Sequence, residues 1–83
     1  MALVHYIKSE KTYVVWCQGC EHGHGFTEKW KYNGSAEKPT FTPSHVQNGK
    51  NGNCHILITD GMIEFLSDCA HKFAGQTLPL EDF

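Results

Sequence analysis

Cys17 and Cys20 are separated by two residues, the spacing at which two thiolates on one tight turn grip a single metal ion. Gly19 between them lets the backbone fold back without a Cβ clash. Two more ligands are needed to close a tetrahedral shell, and a hairpin can bring them together. Asp60-Gly61, between the runs 54–59 and 62–67, is a strong two-residue hairpin signal. In that register Thr59 faces Met62, Ile58 faces Ile63 and Cys54 faces Ser67. Alternation then puts Cys54, Ile56, Ile58, Ile63, Phe65 and Cys69 on one face. Cys54 and Cys69 become diagonal neighbours, about 7–8 Å apart at Cα. Both sulfurs can reach one zinc at about 2.3 Å. The sequence therefore predicts a four-thiolate Zn2+ site of Cys17, Cys20, Cys54 and Cys69.

The other face of the hairpin carries His55, Leu57, Glu64, Leu66 and Asp68. His55 and Asp68 are diagonal neighbours there. Such a pair suits an oriented metal-binding imidazole, a general base with its orienting carboxylate, or a plain half-buried ion pair. His24 follows Cys20 by four residues and His71 follows Cys69 by two, so either can replace a thiolate in the shell. A one-residue slip of register would bring His55 to the metal instead. His5, His22 and His45 read as surface or packing residues. A zinc closed by four protein ligands is structural, whereas a catalytic zinc keeps one position open to water. The chain has no H-E-x-x-H, no H-x-E…P-C-x-x-C, no glycine-rich phosphate loop and no serine nucleophile elbow. The structural reading is therefore preferred, and no residue is assigned a catalytic role.

These residues need strands to position them. Val4 to Ile7 and Thr12 to Trp16 are β-branched and aromatic runs on either side of Lys8-Ser9-Glu10-Lys11, which reads as a hairpin. The segment from Cys17 to Gly25 reads as a tight polar loop, and Phe26 to Tyr32 as a third strand closed by Asn33-Gly34. Pro39 and Pro43 predict an extended edge segment rather than a central strand. Asn48 to Asn53, with two Asn-Gly pairs, reads as a loop. Ala70 to Gly75 suggests one helical turn, and the tail from Leu78 has no periodicity.

At 83 residues the chain is read as one zinc-stapled domain, 1–83. Its fold class is mostly β (α+β at most), a compact antiparallel domain resembling a zinc ribbon and built from hairpins. A formal charge of −2, no basic block and no arginine among seven basic residues argue against nucleic-acid binding. No apolar run approaches the ~20 residues that span a bilayer. The start, MALVHYIKSE, lacks the pattern of a signal peptide. Without secretion, the cysteines are expected as reduced thiols or metal ligands rather than disulfides.

Trp16-Cys17-x-x-Cys20 with a following histidine, Trp30-x-x-Asn33-Gly34, and Glu37-Lys38-Pro39-Thr40-Phe41-Thr42-Pro43-Ser44 occur together. With Cys54-His55, Thr59-Asp60-Gly61, Ile63-x-Phe65-Leu66, Asp68-Cys69-x-His71 and Ala74-Gly75-Gln76-Thr77, the combination resembles a family of small, uncharacterised phage and prophage proteins over residues 16–80. Its members often carry the label ammonia monooxygenase, which nothing in this chain supports. The resemblance implies that His24 is the histidine paired with the knuckle, and that Cys54-His55 and Asp68-Cys69-x-His71 act together. It implies a zinc-binding accessory protein of the bacterial host cytoplasm, a module that binds a host or phage protein and inhibits host defence. The alternatives are a small zinc-dependent hydrolase using His55, Asp68 and His71, and a nucleic-acid-binding zinc ribbon.

Overall fold

A computed structural model of the chain describes residues 2–49 and 52–83; Lys50 and Asn51, in the expected Asn-Gly loop, lie outside them. Among the described residues the regular structure is all β. In chain order the strands are β1 (Val4–Ile7), β2 (Thr12–Cys17), β3 (His22–Phe26), β4 (Lys31–Tyr32), β5 (Phe41–Gly49), β6 (Gly52–Thr59), β7 (Met62–Phe65) and β8 (Thr77–Pro79). They form two antiparallel sheets, β1-β2-β3 and β4-β5-β6-β7-β8. The mostly β, antiparallel class expected from the sequence is the one observed. No helix among these residues is long and apolar enough to cross a membrane.

The β6–β7 hairpin has the register that alternation predicts, Thr59 opposite Met62 and Ile58 opposite Ile63. Asp60 and Gly61 both have positive φ, 50° and 79°, as a turn matched to the twist of its strands requires. The turn is tied down on both sides: Gly61 N donates to Pro39 O at 3.0 Å, and Leu80 N donates to Gly61 O at 2.9 Å. Ile56, Ile58, Ile63 and Phe65 are fully buried, packed with Phe41 and Leu80 of the same half and with Val15, Cys17 and Phe26 of the first sheet.

Elsewhere the chain departs from the local reading. The expected polar loop ends early, because His22–Phe26 pairs with β2 from Cys17↔His22 to Tyr13↔Phe26. His24 and Phe26 point inward while Gly23 and Gly25 occupy the other face, so an alternating strand is concealed by polar and small residues. Of the strand expected over 26–32, Phe26 instead closes β3 and only Lys31–Tyr32 forms a strand of its own, paired with Thr42 and Phe41. β5 is not an edge: it lies between β4 and β6 despite Pro43. The ladder tolerates the proline because its register shifts between Phe41, opposite Ile58, and His45, opposite Ile56. Residues 70–75 form turns rather than a helical turn, with Gly75 N donating to Phe65 O at 2.7 Å. The tail pairs with β7 as β8, a strand too short to show a period.

Candidate active site and metal centre

Consecutive residues of β6 face opposite sides of its sheet, and the two sides carry different chemistry. Cys54 points inward and is buried, whereas His55 points outward and is half-buried. The ligand atoms of Cys17, Cys20, Cys54 and His71 all lie within 4.8 Å of one another, so these residues could hold a metal ion. Three structural devices supply them. The turn after β2 brings Cys20 back beside Cys17, with Glu21 N donating to Cys17 O at 2.8 Å and Cys20 N to Cys17 Sγ at 3.3 Å. β6 supplies Cys54, and the turn following Cys69 supplies His71. Gly19 is what admits His71: a Cβ on Gly19 would stand 2.3 Å from His71 Cε1.

Cys17 Sγ and Cys54 Sγ share a hydrogen bond across 3.8 Å. That hydrogen bond, opposed by burial and assisted by His24, pulls Cys17 down to about 3. The same bond and burial push Cys54 up, and burial raises Cys20. The cluster thus packs a sulfur held toward its thiolate form against neighbouring thiols, the arrangement a cation would stabilise by replacing protons.

Two imidazoles flank the Cys54 sulfur, His71 Nε2 and His24 Nε2, each at 3.5 Å. His24 is fully buried, with its Nδ1 donating to Gln47 Oε1 at 2.6 Å and its Nε2 turned toward the cluster. Phe73 N donates to His71 Nδ1 at 3.3 Å, a contact that must open if Nε2 is to bind a cation as a neutral imidazole. Cys69, expected in the metal shell, stands outside the four-residue group. Its thiol is engaged with the backbone of one residue, accepting from His55 N at 3.2 Å and donating to His55 O at 3.1 Å. The hairpin ladder ends at Ile56↔Phe65, short of the expected Cys54–Ser67 pair.

On the outer face, His55 and Asp68 form the pair that the register predicts. His55 Nδ1 lies 3.1 and 3.2 Å from the two Asp68 carboxylate oxygens. The other ring nitrogen, Nε2, lies 2.9 Å from Ser44 Oγ. A hydroxyl, an imidazole and a carboxylate in this sequence of contacts is the geometry by which a serine is activated as a nucleophile, whatever the chain order of the three. With Nδ1–H donating to the carboxylate, Nε2 is the acceptor that takes the hydroxyl proton.

Ser44 is absent from the residues singled out by the sequence, because it sits in no recognisable nucleophile motif. Its position follows from the register shift in β5: Thr42, Pro43 and Ser44 span one position of β6, and Val46, not Ser44, stands opposite His55. Ser44 becomes a diagonal neighbour of His55. Trp30 Nε1 donates to Ser44 O at 3.4 Å, and the Trp30 ring stacks on buried His45, which clamps the bulge from behind. The available signal was the unsatisfied half of a diagonal His–Asp pair beside a proline-broken strand bearing a hydroxyl. The structure also separates His55 and Asp68 from His71, which lies with the thiols, so the three do not surround one open metal position.

The family described as Bacterial ubiquitination-like system serine protease (BubE) matches residues 2–66, and the chain belongs to that family. The matched span contains Cys17, Cys20, Ser44, Cys54 and His55, while Asp68 and His71 follow it. The family's description mentions neither phage nor zinc, the two features implied by the resemblance noted from the sequence. No curated protein and no solved structure matches the chain.

Proposed function

Starting from this family membership, we propose that the protein is a serine peptidase of a bacterial ubiquitination-like system, with Ser44 as nucleophile, His55 as general base and Asp68 as its orienting carboxylate. The observation that carries this reading is the continuous chain of contacts from Ser44 Oγ through both nitrogens of His55 to Asp68. Ser44 Oγ attacks the scissile carbonyl while its proton passes to His55 Nε2. Asp68 holds the resulting imidazolium by its Nδ1–H. His55 then gives that proton to the departing amine, leaving the acyl group esterified to Ser44. Water, deprotonated by the same Nε2, cleaves the ester and returns the hydroxyl. The substrate is a protein or peptide.

The cation suited to the inner cluster is zinc, held by Cys17, Cys20, Cys54 and His71. A tetrahedral zinc with sulfur at about 2.3 Å and nitrogen at about 2.0–2.1 Å separates two sulfurs by about 3.8 Å and sulfur from nitrogen by about 3.5 Å. The Cys17–Cys54 and Cys54–His71 separations are 3.8 and 3.5 Å. With four protein ligands such an ion would have no position open for substrate and would tie β2, β6 and the turn after Cys69 together without taking part in the reaction. Four unpaired cysteines accord with a reducing cytoplasm.

A protein-binding accessory module of phage or prophage origin, including an inhibitor of host defence, ranks second, since it leaves the Ser44–His55–Asp68 array without a role. The deciding experiment is treatment with a fluorophosphonate, which phosphonylates activated serines, followed by peptide mapping. Labelling at Ser44 that is lost in Ser44→Ala supports the peptidase. An unlabelled, folded wild-type chain rejects it.

A further inference from the structure

We infer that Asn53 is a positioning residue of the catalytic array, a fourth member that fixes Asp68. This rests on the peptidase reading above. Asn53 and His55 are two residues apart on β6, so their side chains emerge on the same face, and Asp68 lies over both. Asn53 Nδ2 donates to Asp68 Oδ2 at 3.1 Å and is 3.4 Å from Asp68 O. One amide therefore grips the carboxylate and the main chain of the same residue. Only the amide nitrogen can face these two oxygens, because the carbonyl end would set acceptor against acceptor.

The need for such a grip comes from exposure. The Asp68 side chain is 55% exposed and that of His55 24% exposed. A carboxylate in water has no packing to hold its rotamer, and an unheld carboxylate neither selects the Nδ1–H tautomer of His55 nor fixes the ring against Ser44. The Asn53 backbone is anchored independently, with Ala70 N donating to Asn53 O at 2.8 Å, so the amide starts from a fixed point. Asp68 Oδ2 is shared by Asn53 Nδ2 and His55 Nδ1, which aligns the acceptor with the imidazole. Asn53 touches no reacting atom and acts through Asp68 alone.

The test is the rate of fluorophosphonate labelling at Ser44, resolved into the apparent binding constant and the maximal rate, for wild type, Asn53→Ala and the near-isosteric Asn53→Asp. Misplacing a catalytic group by about 1 Å costs up to about 100-fold. Both variants are expected to lose about 10- to 100-fold in maximal rate with binding unchanged within about twofold, and Asn53→Asp to lose at least as much through carboxylate repulsion. Metal content and melting temperature, measured alongside, stay at wild-type values. If Asn53→Ala fails to fold, Asn53→Asp decides. Labelling of the variants at the wild-type maximal rate overturns the role of Asn53 while leaving the peptidase intact. A wild-type chain that is not labelled overturns both.

Discussion

His55 Nε2 lies 2.9 Å from Ser44 Oγ, across two strands whose register shifts between Phe41 and His45. Eleven positions apart in the chain, the two residues meet as diagonal neighbours on the outer face of the larger sheet, back to back with a cluster of thiols on its inner face. The Ser44–His55 contact on one side and a group that could hold a metal ion on the other, served by adjacent residues of β6, make separable demands on substitutions.

Ser44→Ala removes the hydroxyl and nothing that packs. Fluorophosphonate labelling and peptide hydrolysis should fall by on the order of 10³-fold or more, with the unfolding free energy changed by less than about 0.5 kcal/mol. Intact-protein mass spectrometry and a denaturation curve on one sample check both halves.

His55→Ala should be as damaging to labelling as Ser44→Ala, and the double variant no worse than either, because residues acting as one unit do not add. Asp68→Asn, which favours the wrong tautomer of His55, should cost about 10²–10⁴-fold. A double variant with an additional loss equal to the sum would show that the two act independently.

Cys17→Ser and Cys54→Ser should lose the metal and, with it, a cooperative melting transition, since structural zinc contributes on the order of 10 kcal/mol in small domains. A strong chelator should do the same to wild type. Cys69→Ser should keep one metal per chain, measured by atomic emission, because its thiol is hydrogen-bonded to the His55 backbone and stands outside the four-residue group. Loss of metal in Cys69→Ser would return this residue to the shell that the sequence alone suggests.

Gly19→Ala should weaken metal binding about 10- to 100-fold in a competitive chelator titration, because its methyl group would meet the His71 ring at 2.3 Å. Combining it with His71→Ala should add little, as the obstructed ring is then gone.

Burial, reinforced by His24, holds His45 below the usual histidine range, with Nε2 donating to Gly25 O at 3.0 Å. The unfolded chain then binds a proton near pH 6.5 that the folded chain refuses, so stability from this residue is intact above about pH 6.5 and falls as pH drops below it. The urea midpoint of wild type should therefore decline more steeply between pH 7 and 5.5 than that of His45→Gln. Parallel curves for the two proteins would remove His45 as the source.

The hairpin from Cys54 to Phe65 was legible because every cue in it is local. Asp60-Gly61 dictates the turn, alternation dictates the faces, and together they place His55 beside Asp68 and Cys54 among the isoleucines. The knuckle at Cys17 and Cys20 is local in the same way. By itself the sequence thus determined a β domain, three of the four residues that could hold a metal ion, and the diagonal pairing of His55 with Asp68. The remaining members were decided by tertiary structure. Whether Cys69 or His71 reaches the thiols depends on where the chain leaves the hairpin ladder and on the space left above Gly19. Ser44 becomes a neighbour of His55 only through a two-residue shift in the pairing of β5 with β6, held by Trp30. Contacts between strands carry no period along the chain, so residues that meet across a shifted ladder leave no pattern in the sequence from which to read them.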